Sequence, residues 1–182
     1  MVPLCLGSFD PGGAVIIVRL TKTFMTAALA AYAGIVAYDN IVDYGSNYAF
    51  VQHVLSMDTT FPGNALMHRA ITDPETWKLA YTAIIAGEAL SGVLLALAAL
   101  DMLFALRNGE RFAKAKGLVA AGVGVGFAVY FLGFMVVGGE YFAMWQAKDW
   151  NGQQSAFRVY MTMLGVLIYV SLPEPEPGLS KA

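Results

Sequence analysis

Apolar residues gather in four long runs, at residues 20–38, 79–106, 117–138 and 156–172, separated by polar stretches. The hydrocarbon core of a bilayer needs about 20 apolar residues wound as helix, within a range of roughly 17–25. Barrel strands are shorter, about 9–11 residues, and alternate strictly; none of these runs alternates. Lipid leaves an open backbone edge unsatisfied, so each run is predicted to be a helix. The pattern therefore predicts an all-α chain, a four-helix transmembrane bundle over residues 19–172. Residues 1–18 stand ahead of it as a leader or extension. Pro3, Pro11, Gly12 and Gly13 are expected to keep the first fourteen residues from being helical. Residues 173–182, beginning Pro173-Glu174-Pro175-Glu176-Pro177, are expected to be extended and solvated.

The two longer connections are richer than linkers. In the first, Phe50, Val51, Val54 and Leu55 make one apolar stripe at helical spacing behind Asn47, a residue suited to cap a helix. A short amphipathic helix lying at the interface follows. Phe61-Pro62-Gly63-Asn64 predicts a turn, and Thr72-Asp73-Pro74-Glu75 has the spacing of a capping box opening the second span, with Trp77 at headgroup depth. The second connection sets Tyr141, Phe142, Trp145 and Trp150 among amides and charges. An aromatic belt accounts for any one of these rings. The density of amides points further, to a folded polar cap formed by the two loops, built on Asp43, Tyr44, Asn47, His53, Asp58, Glu140, Trp145, Trp150 and Arg158.

Composition agrees with the pattern: 58% of the 182 residues are hydrophobic and 13% charged, against about 25% charged in a soluble domain. A net charge of −2 and the absence of a basic stripe argue against nucleic acid as a partner. Seven of the eleven basic residues (Arg19, Lys22, Arg107, Arg111, Lys114, Lys116 and Lys181) fall on one side of the four runs; Arg69, Lys78, Lys148 and Arg158 fall on the other. Cytoplasmic loops carry the excess, so both termini are expected inside and both long loops outside. The single Cys5 reads as an unmodified thiol.

The segment Asp43-Tyr44-Gly45-Ser46-Asn47, continuing through Phe50-Val51-Gln52-His53-Val54-Leu55-Ser56-Met57-Asp58-Thr59-Thr60-Phe61-Pro62, resembles a bacterial family of predicted small integral membrane proteins, domain of unknown function 2165. Gly138-Gly139-Glu140 with Met144-Trp145-Gln146 and Trp150-Asn151-Gly152-Gln153 is similar to that family's second signature. The resemblance covers roughly residues 19–172. It implies a four-span protein of the bacterial inner membrane, with periplasmic loops. It brings no catalytic residues.

Glu88 is the sharpest individual residue. Counted along its own run it lies about 13–14 Å from the outer end. A carboxylate there costs about 2.5–3.5 kcal/mol on insertion scales and should face protein. Tyr130 is expected at similar depth, within reach of a hydrogen bond. Glu88 reads either as a proton relay or a polar contact for a partner protein's cofactor, or as an interhelical hydrogen bond that fixes the bundle; the second is favoured. Glu140 and Arg158 read equally as a pair clamping the second loop or as two solvated charges, and Asp101 as an ordinary boundary charge. His53, His68, Asp58 and Asp43 could hold a metal on paper, but their spacing is not diagnostic, and a His–carboxylate pair is the better reading. Gly122 and Gly126 form a small-xxx-small face, for packing within the chain or against another one.

No nucleophile–base pair, phosphate loop, dinucleotide fingerprint or zinc signature is present, which disfavours an enzyme. No cofactor is expected, whereas bound lipid is. The pattern fits a non-catalytic membrane subunit or assembly factor, meeting other integral membrane chains or copies of itself. A small proton-coupled or redox-linked protein using Glu88 is the alternative.

Overall fold

Five helices carry the chain in the computed structural model, which describes residues 11–174. They are α1 (Pro11–Val42), α2 (Tyr44–Ser56), α3 (Pro74–Phe104), α4 (Gly109–Phe127) and α5 (Gln153–Ser171). Single 3-10 turns occupy Met67–Arg69 and Met144–Gln146, and no strand occurs among the described residues. Past Phe127, α4 loosens into a π-helix, Ala128–Tyr141, closed by a bond from the Phe142 amide to the Val137 carbonyl at 3.0 Å. Such wide turns are rare and are usually single turns inside a helix.

Three helical stretches are long and apolar enough to cross a membrane: Gly12–Val42, Pro74–Phe104 and Gly109–Tyr141. The fourth expected span is helical but is not among them. Gln153, Gln154, Ser155 and Arg158 dilute its 19 residues. It nevertheless buries Ala156, Tyr160, Met163, Val166 and Val170 against the other helices. One core joins Leu29 of α1, Leu95 and Met102 of α3, Val119 and Val123 of α4 and Met163 of α5. A smaller one sets Val51, Val54 and Leu55 of α2 against Tyr81, Phe142 and Met144.

Several local expectations are corrected. At Pro11, the first described residue, the chain is already in α1, which runs on through Gly12 and Gly13. A glycine in a helix costs only about 1 kcal/mol relative to alanine, which the packing of a long helix overrides. Arg19 is thereby inside the helix, but its Nη1 donates to the Leu106 carbonyl at 2.8 Å and its guanidinium lies over Phe112. Asn47 is not the cap of α2; Asp43 holds that position, without a side-chain capping bond. Asp73, not Thr72, caps α3, accepting from the Glu75 and Thr76 amides with Pro74 next in line. Hydrogen bonds from the Thr76 hydroxyl and amide hold the Asp73 carboxyl below its ordinary range. The Phe61–Asn64 turn forms, with Gly63 at φ 76. Cys5, Pro3, Lys181 and residues 175–182 lie outside the described residues.

Small residues bring α1 and α3 together: a Cβ on Gly92 would stand 3.1 Å from the backbone nitrogen of Gly34. Gly122 and Gly126 serve the same end inside the chain. A Cβ on Gly122 would meet Leu95 at 2.7 Å, and one on Gly126 would meet Met163 at 2.5 Å. Both glycines are buried against this chain's own helices, the first of the two packing arrangements open to that face.

Candidate functional site

Glu88 is 3% exposed, and two helices supply its partners. The Asn40 side-chain amide donates to Oε2 at 2.7 Å, and the Tyr130 hydroxyl donates to Oε1 at 3.1 Å. The network continues outward. Asn47 donates to Asn40 Oδ1 at 2.6 Å, and the Tyr81 hydroxyl donates to the Asn40 carbonyl at 3.0 Å. Glu88 thus ties α1, α3 and the π-helical part of the fourth element, with α2 added through Asn47.

The position of Glu88 differs from its count along α3. Asn40 lies two residues from the end of α1, and Gly152 and Ser155, at the start of α5, line the same cavity as Glu88. Glu88 bonds Asn40 near the end of α1, yet α3 begins back at Pro74, so its opening turns run outward past the end of α1 and the start of α5. Depth measured along it alone therefore overstates how far Glu88 sits below the ends of α1 and α5. The cavity beside the carboxylate holds about 260 Å³.

The two long connections are docked on one another. Gln146 Oε1 accepts from the Phe61 amide at 3.0 Å and from Asn64 Nδ2 at 3.2 Å. Arg69 donates to the Tyr141 carbonyl at 3.1 Å and lies over the Tyr141 ring. Sequence reasoning did not single out Gln146, Asn64 or Arg69, since nothing in a lone amide marks it as a clamp. His53 Nδ1 lies 2.9 Å from Asp58 and its ring stacks on Trp150 at 4.3 Å. Tyr44 packs on Tyr48 and Tyr81, and Trp145 meets Phe61 edge to face. His68 Nδ1 lies 3.1 Å from the Ala65 carbonyl. Among the described residues no three His, Cys, Asp or Glu side chains are grouped to hold a metal. Glu140 and Arg158 are exposed and form no ion pair among those residues.

At the opposite end, Asp101 pairs with Arg111 at 2.6 Å. A second ionic cluster there was not expected from sequence. Lys22, fully buried, reaches Glu174 at 2.9 Å and also donates to the Leu172 carbonyl. Lys116 reaches the same Glu174 oxygen at 2.7 Å. Glu174 is therefore pinned, which corrects the expectation of a solvated start to the tail. Burial alone would push its carboxyl up, but the Lys116 and Lys22 ammonium groups outweigh that and hold it below its ordinary range.

Phe24, Leu79, Leu97, Leu100, Phe104 and Ile168 are all more than half exposed on these helices. Apolar surface on that scale is sustained by lipid, not water. With three apolar helices of spanning length and buried polar groups paired across them, the fold defines an integral membrane protein. The chain belongs to the family described as "predicted small integral membrane protein", domain of unknown function 2165, whose model matches residues 18–173. No curated protein and no solved structure matches it.

Proposed function

We propose that this chain is a four-span, non-catalytic subunit or assembly and stability factor of a larger complex in the bacterial inner membrane, respiratory or otherwise energy-transducing. In this reading α5 is the fourth crossing. Its 19 residues make about 28 Å of helix, close to the hydrocarbon thickness. Both termini are cytoplasmic, because Lys22, Arg111 and Lys116 gather at one end of the helices. The docked connections then form a periplasmic cap.

The observation that carries the subunit role is the Phe61–Trp145 pair. The rings meet edge to face at 5.8 Å, yet remain 57% and 50% exposed. They sit on different connections and are held in place by Gln146. A preorganised aromatic pair outside lipid is the kind of anchor that protein interfaces bury. Placing a photo-crosslinking phenylalanine at position 145, and separately at the lipid-facing position 97, tests this in native membranes. A discrete protein adduct is expected from 145 and none from 97. A chain that gives no adduct from 145 and purifies alone from native membranes, correctly folded, refutes the subunit role.

The alternative, a small proton-coupled or redox-linked membrane protein using Glu88, draws on one observation, the cavity of about 260 Å³ beside that carboxylate.

A further inference from the structure

We propose that the cavity beside Glu88 is a binding site for a quinol-type amphiphile: an uncharged, hydroxylated ring with an alkyl tail, entering sideways from the bilayer between α1 and α5. The site stands apart from the subunit role and needs only that α1 and α5 both face lipid.

The walls suit a flat ring. Tyr32, Tyr81, Tyr130, Phe50 and Phe134 all line the cavity. Its electrostatics select against the commonest lipid heads. No Lys, Arg or His lines it, and its one carboxyl side chain is Glu88. A phosphate there would meet a carboxylate with no counter-charge, in a setting where an unpaired charge is costly. A neutral hydroxyl has no such conflict. Each Glu88 oxygen accepts one bond from the protein. A carboxylate offers about four lone-pair sites, so capacity remains for a ring hydroxyl to donate. The Tyr32 and Ser155 hydroxyls, at the cavity's edge, make no bond of their own among the described residues, and can serve a second ring oxygen.

The approach is also built. Tyr32, Ser155 and Val159 line both this cavity and a second one, of about 520 Å³, between α1 and α5. The second continues along Ala28 and Leu29 on α1 and Thr162 on α5. From Ser155 to Thr162 a helix rises about 10 Å, room for the first part of an alkyl tail, with the rest in lipid. Arg158 also lines this outer groove, so a phospholipid with its phosphate on Arg158 is the rival occupant.

The test uses the full chain in nanodiscs of phosphatidylethanolamine and phosphatidylglycerol, with decyl-substituted benzoquinol and its oxidised quinone as probes. Saturable binding of one quinol per chain is expected above simple partition into the bilayer. Val159→Trp and Ser155→Trp, two independent ways to close the neck, should abolish it; whichever variant unfolds like the parent is the one read. Glu88→Gln should weaken quinol binding about tenfold, because one of the two acceptor oxygens becomes an NH2 donor, and weaken quinone binding less. Binding that never saturates, that is unchanged in a folded neck variant, or that is abolished when the phosphatidylglycerol fraction of the nanodisc is raised overturns the proposal. The last result would instead make the groove a phospholipid site.

Discussion

The Asn40 amide donates a 2.7 Å hydrogen bond to Glu88 across the α1–α3 contact, and the Tyr130 hydroxyl occupies the other carboxylate oxygen. This geometry predicts opposite outcomes for two substitutions. In Glu88→Gln the new carbonyl can still accept from Asn40, while the new NH2 donates to Tyr130, whose hydroxyl both donates and accepts. The fold should hold, with thermal unfolding in mild detergent close to the parent. Glu88→Leu leaves the Asn40 amide and Tyr130 hydroxyl without their acceptor, at about 1–3 kcal/mol for each group left buried. A clear fall in the unfolding temperature is expected for Leu only. Equal falls for both would mean that the charge, not the bonding pattern, holds these helices.

Gly126→Leu should damage this chain itself, whether or not any partner is present. A side chain there runs into Met163, and Ser91 lies 3.1 Å away. Overpacking of this kind costs about 1–3 kcal/mol and sometimes more. Gly124 is exposed, with nothing within 4 Å of an added Cβ, so Gly124→Leu should be tolerated. Size-exclusion profiles and melting curves of the two isolated variants decide the matter; a well-folded Gly126→Leu would show that the α4–α5 contact is looser than it stands here.

The Glu174 cluster predicts a pH dependence. Glu174 follows α5, outside the spanning segments, and Lys116 and Lys22 hold its carboxyl below the ordinary range. A carboxylate lowered in the folded state stabilises fully above its ordinary value, and that stabilisation is lost as pH falls through the lowered one. The melting temperature should therefore drop on acidification below about pH 4, the ordinary carboxylate region. Glu174→Gln should be less stable at neutral pH, by on the order of 1–3 kcal/mol, short of a fully buried pair because Glu174 keeps some solvent contact. It should also lose part of the acid sensitivity. Parallel pH curves for parent and variant would remove Glu174 from the account.

Topology can be read by cysteine labelling in a Cys5→Ser background. Ala65 and Glu110 are both exposed, at opposite ends of the helices. With both termini inside, Ala65→Cys reacts with an impermeant reagent in intact cells and Glu110→Cys reacts only after lysis. The reverse pattern would invert the orientation.

Much of the architecture was legible in the chain. The membrane character, the helices and their approximate limits, the Val51–Val54–Leu55 stripe and the turn at Phe61–Asn64 all follow from local hydropathy and turn chemistry. Those signals act over a few residues and add along one helix. Boundaries were less legible: the spans run into polar ends, and Pro11, the first described residue, is already in a helix that its neighbouring glycines argued against.

What only the tertiary structure decided are the pairings. Asn40 meets Glu88 across 48 residues and Lys22 meets Glu174 across 152. Which face of Gly122 and Gly126 is buried, and that Gly34 and Gly92 pack as closely, was likewise settled by the fold. Helices that are apolar on nearly every side carry no periodic signal for their rotation, and length alone does not fix how far one slides past another. The overshoot of α3 that brings Glu88 level with Asn40 near the end of α1 and Ser155 near the start of α5 is such a slide, and local hydropathy does not encode it.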